Sequence, residues 1–332
     1  MTEENRQGAL LPEKEVILMK IVFLEPLGIP NETLLSMARE ALGEGVELVA
    51  YPDRKEDEAT LVERSKDADI VILSNFPYRK SVISQCPNLK MICVAFTGTD
   101  HVDVDYCHQN GITVCNCAGY STVAVADLVF GFAVALSRNI LPCDAACRQG
   151  GTKAGLVGFE LEGKTFGIVG AGAIGLRVAR IANAFGCKVL AWSRTKKDVE
   201  GVTFVDTLEA LLPQCDIVSL HVPQTPATIG LIGEKELKLM KPTALLINTA
   251  RGPVVDSAAL AAALKNGEIA GAGIDVFEME PPVPTDHPLF GAPHVVVTSN
   301  VAFASQQAFQ KRAVIVVENL KQFIAGTPQN LV

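Results

Sequence analysis

The chain lacks any excess of positive charge: 29 Lys and Arg stand against 37 Asp and Glu, a formal net charge of −8. No Lys/Arg-rich block reverses that balance locally, which excludes a nucleic-acid-binding surface. Long apolar runs are missing too. The most apolar stretch, AVADLVFGFAVALSR (124–138), is interrupted by Asp127. It falls short of the ~20 residues a bilayer span needs, so it reads as a buried helix. The opening MTEENRQGALLPEKE is polar and acidic, with no apolar core of the kind a secretory signal carries, and a cytoplasmic protein is expected. Among the nine cysteines no pair forms CxxC, so a zinc or dithiol site has no support. They read as reduced, buried thiols. Cys115 and Cys117 alternate on a short strand, and neither has an evident base beside it in sequence. Internal repeats and low-complexity segments are also absent.

What is present is the profile of a compact α/β protein: 332 residues, 48% of them hydrophobic, with 27 Gly and 18 Pro. That length suffices for two domains with separate cores. Apolar runs such as VILMKIVFLEP (16–26), DIVILSN and LKMICVAFTG (89–98) alternate with amphipathic stretches such as ETLLSMAREALG (32–43). Strand and helix at these intervals imply crossover connections and a parallel sheet. A second series opens at KTFGIVGAGAIGLRVARIANAFGCKVLAWSRT (164–195) and runs through CDIVSLHVP, TALLINTARG, EIAGAGIDVF and HVVVTSN (294–300). The expected fold is two doubly wound parallel-sheet domains. Residues 16–118 plus 302–332 would form one, with the last helix returning to it, and 119–301 the other, inserted into it.

Gly170-Ala171-Gly172-Ala173-Ile174-Gly175 is a GxGxxG between an apolar strand and an amphipathic helix. Alone the pattern marks only a Gly-rich turn. With a strand before it, a helix after it and a second strand about 20 residues on, it marks a dinucleotide site, where backbone amides approach a pyrophosphate. An NAD site usually ends its second strand in an acid that binds the ribose 2′-OH. Here that strand ends in Ser193-Arg194-Thr195-Lys196-Lys197. Such groups hold a 2′-phosphate that a carboxylate would repel, so NADP(H) is expected ahead of NAD(H). The alternative is a solvated basic turn.

TGTDHVDVDYCHQNGITV, AGYSTVAVADL, GAGAIG, SLHVPQT, INTARGPVVD and GIDVFEMEP follow one another in an order that resembles the D-isomer-specific 2-hydroxyacid dehydrogenases. The AGYST form is most similar to the glyoxylate/hydroxypyruvate reductase and glycerate dehydrogenase branch. The resemblance implies a flavodoxin-like substrate domain, an inserted Rossmann NAD(P) domain and a homodimer clasped through the helix and arm of 121–158. It implies that Arg251 grips the substrate carboxylate, with backbone amides around Thr97, Gly98 and Thr99 as a second clamp. His221, Val222, Pro223, Thr228, Thr249 and Ala250 would stand on the cofactor side, and Asp275 would be a cofactor-side or ion-pair partner. Glu280 matches the acid that hydrogen-bonds the family's catalytic histidine.

That histidine normally ends a Thr-Pro-His arrangement, whereas this chain reads Thr298-Ser299-Asn300. Asn300 can hydrogen-bond a substrate oxygen but supplies no proton near neutral pH. None of the five histidines is placed to replace it: His294 begins the same strand, ~20 Å away at ~3.3 Å per residue. The expected function is therefore hydride transfer between NADP(H) and a small, unphosphorylated 2-keto/D-2-hydroxy acid of the glyoxylate, hydroxypyruvate or pyruvate type, with turnover lowered at Asn300. The clamp AFTGTD has no Lys or Arg for a phosphate, and no regulatory domain is expected after the last helix. The alternative is an NADP(H)-binding sensor or scaffold of the same fold with little turnover. Arg251 and Glu280 oppose it, because a pure binding module needs neither.

Overall fold

The computed structural model describes residues 19–279 and 282–332, and its chain divides into two compact units. The first holds the described residues up to Ala95, together with His101–Asn116 and Val316–Val332. The second holds Phe96–Asp100 and Cys117–Ile315. Residues 16–18 of the expected first strand lie outside the described residues.

In the first unit five parallel strands are described: β1 (Met19–Phe23), β2 (Val46–Ala50), β3 (Ile70–Leu73), β4 (Met91–Val94) and β5 (Thr113–Asn116). Their order is β2-β1-β3-β4-β5, the flavodoxin-like order for a doubly wound sheet. All residues of β3 and β4 are buried, as expected of parallel strands covered on both faces. Asn319, buried in the C-terminal segment, donates from Nδ2 to the Asn116 carbonyl (2.9 Å) and accepts from Asn330 (2.8 Å). These bonds tie the C-terminal segment to the end of β5.

The second unit carries seven described parallel strands: β6 (Thr165–Val169), β7 (Lys188–Trp192), β8 (Val202–Phe204), β9 (Ile217–Leu220), β10 (Leu245–Asn248), β11 (Gly271–Ile274) and β12 (Val295–Val297). The order is β12-β11-β10-β9-β6-β7-β8. The order reverses at β6, flanked by β7 and β9, and in an open α/β sheet ligands bind outside the carboxyl ends of the strands at such a point. Helix Thr122–Ser137 buries Val125, Ala126, Val129, Phe130, Phe132 and Ala133, the apolar stretch that falls short of a membrane span. Among the described residues no single helix is long and apolar enough to cross a membrane.

The last helix, Gln306–Ile324, passes from the second unit into the first at Val316. Seven of the nine cysteines are buried, Cys143 is half-buried and Cys147 exposed. Burial pushes the Cys107 thiol up to about 11 and the Cys215 thiol to about 12, so both stay protonated and unreactive.

Candidate active site

At the end of β6 the chain turns at Gly170, whose φ of +101° suits glycine alone. A Cβ there would lie 2.6 Å from the His221 carbonyl oxygen, and one at Gly175 would lie 2.1 Å from the Gly170 oxygen. The Gly170 N–H donates to the Trp192 carbonyl (2.8 Å). This bond brings the GxGxxG turn beside the end of β7, where Ser193 is half-buried and Arg194 and Thr195 are exposed. Helix Ala173–Ala184 starts from Gly172, which offers no side-chain cap. Space above Gly172 is open to at least 4 Å. Uncapped helix amides behind an open glycine form a cradle for a dinucleotide phosphate.

Two buried polar atoms nearby also lack a protein partner: Nε2 of His221 and Oγ1 of Thr249. Buried groups of this kind normally find one, and a bound cofactor would provide it. Desolvation lowers the His221 imidazole to about 3, so it is neutral at physiological pH. The turn, the helix end and these orphaned atoms all fit a nicotinamide dinucleotide.

Beside the turn, a cavity of about 300 Å³ is lined wholly by residues of the second unit, at the small end of ligand pockets. Of the residues expected in the site, Thr97, Gly98, Gly172, Ala173 and Ile174 line it. So do His221, Val222, Pro223, Thr249, Ala250, Arg251 and Asn300. Gly170, Gly175 and Ser193–Thr195 stand outside its wall, as do Thr99 and Thr228. Thr228 instead ties its own loop, donating to the Pro223 carbonyl (2.6 Å). Glu280 lies outside the described residues.

Arg251 is held from three sides. Its Nη1 donates to the Ala250 carbonyl (2.9 Å), its Nε donates to Asp100 Oδ1 (3.2 Å), and its guanidinium lies over the Phe96 ring at 5.7 Å. The backbone under it is fixed by Asn248, which donates to the Arg251 carbonyl (2.9 Å) and accepts from the Ala250 N–H (3.0 Å). A Cβ on Gly98 would fall 1.8 Å from Arg251 Nη2, so the guanidinium rests directly on the Gly98 backbone. A charged planar fork in a small cavity beside main-chain amides is suited to a carboxylate.

The path into Asn300 differs from the expected strand 294–300. Strand β12 stops at Val297, and Asn300 takes a left-handed φ of +52°. That conformation ends pairing, and Asn is among the few non-Gly residues that adopt it readily. The bend is pinned by Asp275. Its fully buried carboxylate accepts from Thr298 Oγ1 (2.5 Å), the Val301 N–H (2.8 Å) and the Ala302 N–H (2.9 Å). Its carbonyl accepts from the Asn300 N–H (2.7 Å).

His287 is buried between Phe277 and Phe290, with Nε2 3.0 Å from Glu278 Oε2, and does not line the cavity.

Sequence reasoning overlooked two groups, an aromatic wall and an acid. Phe96, Tyr120 and Phe303 pack as an aromatic wall, with centroids 5.0 to 6.4 Å apart. Tyr120 is buried, and desolvation pushes its hydroxyl well above the usual tyrosine range although the Arg312 charge beside it acts the other way. The acid is Asp100, which accepts from Arg251 Nε. Tyr120 stands in AGYST and Phe303 follows Asn300 by three residues, but nothing local in either stretch marks a wall.

The family model described as the D-isomer specific 2-hydroxyacid dehydrogenase NAD binding domain matches residues 130–302. A glycerate dehydrogenase of Methylorubrum extorquens is 42% identical over 319 residues, spanning 91% of this chain and 99% of that protein. A glyoxylate reductase of Thermococcus litoralis is 43% identical over 286 residues, spanning 82% of this chain and 86% of its own. A solved structure of an acyclic imino acid reductase, Bsp5, in complex with NADPH and D-Arg superposes with a TM-score of 0.88 at 34% identity, covering 95% of this chain and 100% of that one. By these matches the chain belongs to the D-isomer-specific 2-hydroxyacid dehydrogenase family, oxidoreductases acting on the CH–OH group of their donors.

Proposed function

We propose that the protein is an NADP(H)-preferring reductase of small, unphosphorylated 2-keto acids, yielding D-2-hydroxy acids. The observation that carries this is the Arg251 guanidinium seated on the Gly98 backbone within the cavity that Asn300 also lines. The Gly170–Gly175 turn would hold the phosphates of a nicotinamide dinucleotide, whose reduced ring would supply the hydride. Arg251 and the amides of Thr97–Thr99 hold the carboxylate, and the Asn300 amide meets the keto oxygen. Because that amide has no proton to give, turnover of a keto acid is reduced by the ~10²–10⁴ that general acid–base catalysis contributes.

The exposed Arg194 and Thr195 at the end of β7, where no acid stands, support the choice of NADP(H). NADPH in the imino acid reductase is consistent with it. That neighbour is named for the reduction of acyclic imino acids, which are C=N substrates. The second unit takes the role of cofactor domain and also carries the clamp residues Thr97–Thr99 and Arg251, while the first takes that of the flavodoxin-like domain. A homodimer through 121–158 is supported by Ile140, Leu141 and Val157, which are 47%, 49% and 80% exposed. Light scattering would give twice the chain mass.

Steady-state oxidation of NADPH and NADH with glyoxylate, hydroxypyruvate and pyruvate tests the assignment, alongside oxalate binding to the Arg251→Ala protein. Reduction of at least one keto acid, faster with NADPH, and loss of oxalate binding in the variant are expected. Tight NADPH binding without turnover of any of the three would favour the sensor or scaffold reading, to which the absent proton donor at Asn300 lends its one support.

A further inference from the structure

We propose that this protein also reduces C=N bonds, converting 2-imino acids, formed from a 2-keto acid and ammonia or a primary amine, into D-2-amino acids. The inference rests on the assignment of Arg251 and the nicotinamide site made above, and it follows from the side chains that line the cavity.

Among the described residues lining the cavity, Tyr120, His221 and Arg251 are the titratable ones. Arginine does not give up its proton in a protein. His221 is neutral down to about 3, so at neutral pH it has no extra proton to release. The Tyr120 hydroxyl is a weak acid, because burial disfavours its phenolate. In the arrangement the resemblance implies, Glu280 reaches the substrate only through the side chain at 300, and an amide does not relay a proton. The backbone does not force an amide there. A φ of +52° is open to histidine as well, and His294 takes +54° in this chain.

The two substrates differ in their need for a proton. Hydride added to a ketone leaves an alkoxide, which must take a proton as it forms. An iminium already carries its proton. In solution the amine nitrogen adds to the keto carbon, water leaves and the nitrogen takes a proton from solvent, giving R–C(=NH₂⁺)–COO⁻. Hydride from the reduced nicotinamide then forms the new C–H bond. The C=N π pair becomes the lone pair of a neutral amine, and solvent afterwards protonates it.

Hydrogen-bond polarity points the same way. A ketone oxygen only accepts, whereas an iminium nitrogen only donates. The Asn300 Oδ1 accepts from that N–H, while Arg251 holds the carboxylate as it would for a keto acid. A protonated histidine at 300 would set donor against donor and positive charge against positive charge. The aromatic wall of Phe96, Tyr120 and Phe303 gives the cavity an apolar side, which would slow hydrolysis of an iminium.

The test uses the full-length protein, NADPH and pyruvate in mildly alkaline buffer, with either ammonium chloride or potassium chloride at equal ionic strength. Chiral chromatography separates alanine from lactate. A cofactor-free calorimetric titration compares D-alanine with D-lactate. Ammonium is expected to speed NADPH consumption and make D-alanine the main product, and D-alanine should bind more tightly than D-lactate. In Asn300→His the alanine-to-lactate ratio should fall by ~10²-fold or more, the scale on which a proton donor accelerates ketone reduction, and the binding order should reverse. Lactate as the sole product with ammonium present, and tighter D-lactate binding, would overturn the proposal and leave keto-acid reduction standing. No NADPH consumption with pyruvate, glyoxylate or hydroxypyruvate, with or without ammonium, and no oxalate binding would instead remove the keto-acid assignment itself. Should Asn300→His not fold, the product ratio and binding order of the native protein decide.

Discussion

Replacing Gly98 by alanine adds one methyl group at the carboxylate clamp. The new Cβ would stand 1.8 Å from Arg251 Nη2 and 2.9 Å from both Arg251 Cζ and Asp100 Oδ1. Ordinary contact begins near 3.4 Å, so the guanidinium tip must retreat by about 1.6 Å. The backbone itself should accept alanine, since Gly98 is not among the positive-φ glycines. Retreat is open to Arg251 because its side chain is 25% exposed. A misplacement of ~1 Å at a reacting centre costs roughly 10²-fold, or about 2.7 kcal/mol at 1.36 kcal/mol per decade. The assay is kcat/KM for the best keto acid beside NADPH affinity from fluorescence titration. Gly98→Ala should lose roughly 10² in kcat/KM, with NADPH affinity and the thermal midpoint nearly unchanged. A variant that keeps native kcat/KM would show that Arg251 does not hold the substrate from the position it occupies here, and the clamp assignment would fail.

Other outcomes follow from the same geometry. Arg194→Ala should weaken NADPH binding several-fold and leave NADH binding unaltered, as read by titrating each cofactor; equal losses for both would assign Arg194 to a solvated turn. Asp275→Asn should lower stability by at least about 2 kcal/mol in urea unfolding, because it removes a buried charge that accepts three hydrogen bonds. Native-like stability there would mean that the bend at Asn300 holds itself. For His221 the folded imidazole is lowered to about 3, against ~6.5 unfolded. Its contribution is therefore intact above pH ~6.5 and declines toward pH ~3 at about 1.4 kcal/mol per pH unit. His221→Gln should remove that part of the slope. Superimposable pH profiles of unfolding free energy for the two proteins would refute it.

Sequence by itself determined the parts that depend on local periodicity and short spacing. Alternating apolar runs specify parallel strands with crossover helices. GAGAIG between a strand and a helix specifies the phosphate turn, since glycine placement there answers to steric contacts that hold wherever the motif folds. Position 300 was legible as an amide where a proton donor is expected, because that is a matter of side-chain identity.

Only the tertiary structure decided how those parts are held. The strand before Asn300 stops at Val297 instead of running on to 300, where the Asp275 carboxylate takes up Thr298, Val301 and Ala302 and Asn300 turns left-handed. Asp275 reads in the sequence as a cofactor-side or ion-pair residue, but its carboxylate is filled by Thr298, Val301 and Ala302. Asp100 meets Arg251 across 151 residues of chain, and Tyr120 joins Phe96 and Phe303 in a wall that no single motif contains. Burial, hydrogen-bond satisfaction and close approach are properties of residues distant in sequence and adjacent in space. A periodic pattern does not encode which residue across the fold takes up a given lone pair, and that partner choice placed the amide of Asn300 in the cavity with Arg251.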